Sequence, residues 1–285
     1  QAIQISDEQG EFEIAVLAGP GSLFLHGSSN GYVLQETTTR RISRGKPGGE
    51  RQYAHHIKLI DVAADESPID MSFELKRGGT VRGTLVDESG QSVDKVSMIT
   101  WRNTQARDLS WRGHSPEVLG GRFEMGGLDE GEEYAVYFLD AEHKLGATAM
   151  ISAAEPSPRV VLNACGAAVM RFVDDEGKPV ANQSTCNVFM VARPGVYKYD
   201  SQAMRSGAVS ADSDFISNID RTNYPGVKSD DTNQEGRVRL PVLIPGATYR
   251  IITPDGGDSS IAKEFVAESG KTTDLGDIVV EPHED

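Results

Sequence analysis

Only two of the 285 residues are cysteine, Cys165 and Cys186, only two are tryptophan, and basic residues number 28 against 43 acidic ones. A net charge of -15, with no basic run longer than Arg40-Arg41, would repel a phosphate backbone, so nucleic acid is excluded as a partner. No apolar stretch approaches the ~20 residues that cross a bilayer as a helix, and no basic-then-apolar leader precedes the first strand. No membrane span is expected in this chain. The cysteines invite a disulfide, but at the starts of successive antiparallel strands they would lie roughly seven residues apart at ~3.3 Å each, beyond the ~7 Å reach between Cα atoms. Two free thiols are expected. No GxSxG or comparable nucleophile setting and no metal-ligand spacing occurs, so no catalytic residue, no metal and no cofactor is expected, and the chain reads as a non-enzyme.

What is present is a repeat. Gly236 to Ile251 reads GRVRLPVLIPGATYRI, Gly121 to Val136 reads GRFEMGGLDEGEEYAV and Gly10 to Leu25 reads GEFEIAVLAGPGSLFL. Gly10, Gly121 and Gly236 each precede a leucine, Leu17, Leu128 and Leu243, by seven residues without a gap. Phe123 and Met125 alternate with Arg122 and Glu124, the period-two pattern of a strand with one wet face. A turn follows, Glu130-Gly131 or Pro245-Gly246, and then a second alternating strand carrying Tyr134 and Val136, or Tyr249 and Ile251. This is a β-sandwich corner, in which Tyr134 and Tyr249 should be buried with their hydroxyls bonded to backbone.

A second repeated stretch, Val81 to Val93 (VRGTLVDESGQSV) and Val169 to Val180 (VMRFVDDEGKPV), matches Asp87 to Asp174 and Gly90 to Gly177 at an offset of 87 residues. At the corner block the offset is 115, so the last module holds about 28 extra residues. The chain thus divides into a partial β-sandwich at residues 1–76, a sandwich at 77–163 and a sandwich with an insertion at 194–234, spanning 164–285. In the first module Tyr32 to Glu36, Tyr53 to Val62 and Ile69 to Leu75 are strand candidates. Arg40 to Arg51 reads as a Gly-rich solvated loop, and His55-His56, pointing to opposite faces of a strand, as one core and one surface residue. With only nine residues ahead of Gly10, the chain is expected to be part of a longer polypeptide.

The insertion carries Tyr197, Tyr199 and Tyr224 with Arg193 and Arg221, residue types that stack on and hydrogen-bond a sugar or peptide, and these five are the candidate ligand-binding residues. Ser210 or Asp212 could cap a short helix with Phe215, Ile216 and Ile219 on one stripe. The shorter counterpart, Arg102 to Gly120, holds Trp111, Arg112 and His114. Asp231-x-Asn233-x-Glu235-Gly236 resembles the first half of a calcium loop, yet Val242 stands where a twelfth-position carboxylate is needed, so a metal is not expected.

Taken together, the VDESGQSV and VDDEGKPV strands followed by the GRFEMGGLDEGEEYAVYF and GRVRLPVLIPGATYRI corners resemble the carboxypeptidase regulatory-like modules, small transthyretin-like (prealbumin-like, Ig-like) β-sandwiches, over residues 78–281. The resemblance implies an all-β chain of tandem small antiparallel sandwiches, with a short helical insertion in the last, from a large bacterial multidomain protein. It implies an extracytoplasmic setting, in the cell envelope or secreted. Two roles follow. One is a non-catalytic structural or interaction array; the other is a ligand-sensing ectodomain, for carbohydrate or peptide, of a membrane-embedded metallopeptidase or signalling protein. A sensor needs a concave site with converging aromatic and polar groups, and a spacer needs rigid end-to-end contacts. The partner, protein or glycan, is not named by the sequence.

Overall fold

The structure, a computed structural model, describes residues 3–45, 51–64, 69–100, 117–183, 187–191, 215–218, 231–255 and 258–280. It is almost entirely β. In the first segment β1 (Gly19–Leu25) and β4 (His56–Val62) pair antiparallel, and β2 (Gln35–Thr38) pairs with β3 (Arg51–Ala54). Between β2 and β3 lies α1 (Thr39–Arg44), where a loop was expected. It forms because Thr38 Oγ1 accepts the Arg41 N–H at 3.3 Å, while Gly45, at φ 64, turns the chain out and donates to the Arg41 carbonyl at 3.0 Å. His55 is buried, its Nδ1 accepting the Gly27 N–H at 2.7 Å, and His56 is half-buried, the in-and-out pair that the sequence suggested.

Ile69 to Leu75 is not a strand, nor is the first corner segment from Glu11 to Leu17, and Tyr32 makes only an isolated bridge to Arg77 ahead of β2. Alternation supplies a face, but a ladder also needs a neighbour, and no strand pairs with either segment among the described residues.

The next seven strands are β5 (Gly79–Asp87), β6 (Val96–Ile99), β7 (Glu117–Val118), β8 (Arg122–Leu128), β9 (Glu133–Asp140), β10 (Leu145–Ser152) and β11 (Arg159–Ala164). They make two layers, β7-β6-β9-β10 and β11-β5-β8, joined where Leu145 and Gly146 pair with Ala164 and Asn163. Between the layers lie Val81, Leu85, Phe123, Leu128, Val136, Phe138, Ile151 and Leu162. The pattern then recurs in β12 (Gly166–Val173), β13 (Asn187–Val191), β14 (Phe215–Asn218), β15 (Arg237–Leu243), β16 (Thr248–Asp255), β17 (Asp258–Val266) and β18 (Thr272–Val279), layered as β15-β12-β18 and β14-β13-β16-β17. Each sandwich places its opening strand between the corner strand, antiparallel, and its own last strand, parallel: β8-β5-β11 and β15-β12-β18. The antiparallel reading did not include those parallel pairs.

The corner tyrosines are as expected. Tyr134 and Tyr249 are buried, and their hydroxyl oxygens accept the backbone N–H groups of Asp129 at 3.0 Å and Ile244 at 2.9 Å. In the insertion, the helix expected to carry Phe215 and Ile216 is corrected: Phe215–Asn218 is strand β14, with Val191 opposite Phe215, and Ile219 lies outside the described residues. An aromatic followed by a β-branched residue is also compatible with a strand, and β13 supplies the neighbour it pairs with. The Asp231 to Gly236 stretch is a turn in which Asn233 Oδ1 accepts the N–H groups of Glu235 and Arg237, at 3.0 and 2.8 Å.

Candidate functional site

The built feature of the described structure is the junction between the two complete sandwiches. From Tyr134 to Asp140 every residue of β9 is buried. Tyr134, Val136 and Phe138 point into the core of their own sandwich. Ala135, Tyr137 and Leu139, with Ile99 of β6, belong instead to the apolar cluster of the following sandwich, which includes Met190, Tyr249 and Ile251. The outer face of the β6-β9 layer is thus covered by the next sandwich. Each of the large aliphatic side chains among them, Leu139 and Ile99, contributes about 1.5–3 kcal/mol when removed from water.

Among the described residues two side-chain hydrogen bonds cross the junction. The Tyr137 hydroxyl donates to the Val191 carbonyl at 2.6 Å in a fully buried setting, and Thr148 Oγ1 donates to the Pro245 carbonyl at 2.8 Å. The Pro245-Gly246 turn seats on β10: a Cβ added to Gly146 would stand 3.1 Å from the Phe138 carbonyl oxygen, 3.2 Å from Pro245 Cδ and 3.3 Å from Cys165 Sγ, so any larger residue there must push its neighbours apart by a few tenths of an ångström. Burial pushes the Tyr137 phenol well above its ordinary range, keeping it a neutral donor.

Beyond Gly146, β10 and β11 part, each leaving with its own layer, and an open groove of about 460 Å³ lies between them, lined by Thr148, Met150, Arg159, Val161, Asn163 and Pro245. It lacks the enclosing apolar walls and converging aromatic groups of a small-molecule site. At the β9-β10 turn the His143 backbone N–H and Nδ1 meet the two oxygens of buried Asp140, at 3.0 and 2.8 Å. That hydrogen bond, reinforced by the charge of Asp140, raises the pKa of His143 above its usual value. Burial, and then the same carboxylate, push the Cys165 thiol up to about 12. Cysteine, histidine and aspartate are all present at this corner, but a thiol that stays protonated at neutral pH is no nucleophile. Cys165 is a free thiol, and Cys186 lies outside the described residues. Among the described residues no three His, Cys, Asp or Glu side chains group to hold a metal ion.

The five candidate binding residues, Arg193, Tyr197, Tyr199, Arg221 and Tyr224, lie outside the described residues, as do Trp111, Arg112 and His114. The structure places only the roots of their insertion, β13 and β14, side by side at one edge of a sheet. The junction was missed in the sequence, though its signal is there. Tyr134 to Leu139 reads YAVYFL, with no polar alternation, which is the pattern of a strand buried on both faces.

No family model matches the chain, and no curated protein does. Among solved structures, a streptococcal ancillary pilin matches over 79% of this chain and 70% of its own length, at 12% identity and a TM-score of 0.27. The minor pilin of Streptococcus agalactiae matches over 73% of this chain and 98% of its own, at 13% identity and a TM-score of 0.28. The shaft pilin of Lactobacillus rhamnosus GG matches over 73% and 99%, at 10% identity and a TM-score of 0.23. Likeness this loose assigns no role to any residue.

Proposed function

We propose that the chain is a non-catalytic array of tandem sandwiches of the carboxypeptidase regulatory-like kind, with modules at 1–76, 77–163 and 164–285. Its role is to hold other parts of a bacterial cell-envelope or secreted protein at a fixed spacing. The observation that carries this reading is β9, whose two faces serve two different cores. Independent modules on a flexible linker expose polar faces to each other, whereas here an apolar face with one buried and one partly buried hydrogen bond lies between them, which is what a rigid spacer needs. Small-angle scattering tests it. The wild-type chain should fit one fixed arrangement of the two complete sandwiches, and Leu139→Asp should broaden the distance distribution. Wild-type curves that demand an ensemble of inter-module orientations would contradict it.

The insertion supports a second role on the same frame. β13 and β14 root it at an edge of the last sandwich, and its Arg193, Tyr197, Tyr199, Arg221 and Tyr224 are proposed as a surface for a glycan or peptide, because long insertions on rigid sheets are where recognition residues collect. Deleting residues 198–214 and 219–230, with β14 kept on a short linker, should abolish hits in a glycan and envelope-extract screen; unchanged hits would end the idea.

A further inference from the structure

We propose that the groove between β10 and β11 binds an extended, uncharged peptide segment of a partner protein, which lies between the two strands and runs antiparallel to β10. The strands pair only where Leu145 meets Ala164 and Gly146 meets Asn163. Beyond that point, among the described residues, β10 keeps β9 as its one neighbour and β11 keeps β5. One edge of each strand therefore faces the groove of about 460 Å³.

Strand alternation fixes which backbone groups line it. The Lys144 carbonyl accepts the Cys165 N–H at 2.8 Å, so it points toward β11. The pleat then turns Gly146, Thr148 and Met150 to that same side. The Pro158 carbonyl accepts the Thr84 N–H at 3.0 Å, which turns Arg159 and Val161 away from β5 and toward the groove. No register shift interrupts β10 along β9 or β11 along β5. Two rows of backbone donors and acceptors thus face each other. Asn163 Nδ2 donates to the Val161 carbonyl at 3.2 Å, taking the place that an incoming strand's N–H would fill. Packed layers lie ~10 Å apart and neighbouring strands ~4.8 Å apart, so the span between two layer edges is two strand spacings and takes one strand. The groove is continuous with the junction: Pro245 and Gly246 of the following sandwich line it, and Thr148 Oγ1 ties that turn to β10 at 2.8 Å.

The lining also says what fits. β10 carries no charged side chain and β11 carries only Arg159. Their counterparts in the last sandwich, β17 and β18, carry exposed Lys263, Glu264, Asp274 and Asp277. Charges on an edge keep stray strands off it, and β10 lacks that defence. Glu155 and Arg159, one of each sign, line the groove, so it favours an uncharged occupant. Side chains pointing inward from such a strand meet half-buried Ala149 and buried Ile151, and those pointing outward flank Met150 and Val161, which are 51% and 38% exposed. Small and β-branched residues suit both faces. A second copy of this chain suits the groove poorly. Two chains of net charge -15 repel, and an edge from Thr148 to Ser152 supplies a fraction of the ~800 Å² per partner that a stable interface buries.

The probe is the peptide TVTATVT, labelled with fluorescein and titrated into the full chain by anisotropy, with amide exchange followed on the complex. Saturable binding is expected, with exchange slowed at Thr148, Met150, Arg159 and Val161. Because the strand bonds both edges, N-methylation of either alternate set of its residues should abolish binding. Glutamate in place of its alanine should weaken binding at least about tenfold, since that side chain faces the core. Met150→Pro removes an N–H that no ladder bond uses, so it should leave the fold intact and abolish binding. Val161→Lys, at an exposed edge site, should weaken binding about tenfold and decides the matter if the proline variant does not fold. The proposal is overturned by no saturable binding, by undiminished binding to Val161→Lys, by equal binding of the N-methylated peptides, or by protection elsewhere. Slowed exchange at Thr148 and Met150 without peptide, rising with a dimer's mass, would assign the edge to a second copy and overturn it equally.

Discussion

Replacing Tyr137 by Phe removes one oxygen and nothing else, at a site where that oxygen joins two sandwiches. Its hydroxyl donates to the Val191 carbonyl at 2.6 Å, with both partners buried. The variant leaves the carbonyl without this donor in an apolar setting, which costs about 1–3 kcal/mol, more than the ~1 kcal/mol net value of an average hydrogen bond. In a cooperative unit of this size each kcal/mol moves the midpoint by about 2–4 °C, so a loss of roughly 2–12 °C is expected. Tyr137→Ala also deletes the ring and should cost about 3–5 kcal/mol. The assay is urea denaturation followed by circular dichroism, with amide exchange as a second readout. Exchange in Tyr137→Phe should quicken in β13, across the junction from the substitution. A stability within about 0.3 kcal/mol of wild type, or faster exchange confined to β9 and β10, would refute the reasoning.

Tyr134→Phe and Tyr249→Phe should each cost on the order of 1 kcal/mol in the same assay, and their costs should add because they occupy different cores. The imidazole of His143, followed by NMR, should titrate above 6.5, and Asp140→Asn should lower that value. Because the folded pKa is raised, the stability from this pair is fully present below the unfolded histidine value and is lost as pH rises through the folded one. A titration at or below 6.5 would contradict the pairing. Cys165, half-buried and with its thiol pushed up to about 12, should react with a disulfide reagent at pH 8 more slowly in the native protein than after unfolding; a native-state rate equal to the unfolded one would contradict the raised pKa.

The corners were readable because a turn, a tyrosine and period-two alternation are local signals, and Tyr134 and Tyr249 sit as that pattern implies. β5 and β12 were readable for the same reason, although their parallel neighbours were not. β11 and β18 lie far along the chain, and nothing local in Arg159 to Ala164 states which strand lies beside it. α1 was hidden in a basic Gly-rich stretch whose cap, Thr38, ends a strand, and β14 was hidden because Phe215 and Ile216 suit a helix stripe and a strand edge equally. The junction face was legible in Tyr134 to Leu139, but what covers such a face is a tertiary fact. The expected strands at Glu11 to Leu17 and Ile69 to Leu75 are not formed for a complementary reason: the alternation is there, but among the described residues no strand pairs with either.

Scanning calorimetry on the intact chain, with wild type beside Leu139→Asp, tests the shared junction most directly. Residues 78–280 should melt in one transition whose calorimetric and van't Hoff enthalpies agree, and the substitution should lower or split it, because Leu139 sits in β9 yet packs in the core of the following sandwich. Two separate wild-type transitions for the complete sandwiches, with the later one unmoved by Leu139→Asp, would contradict the account.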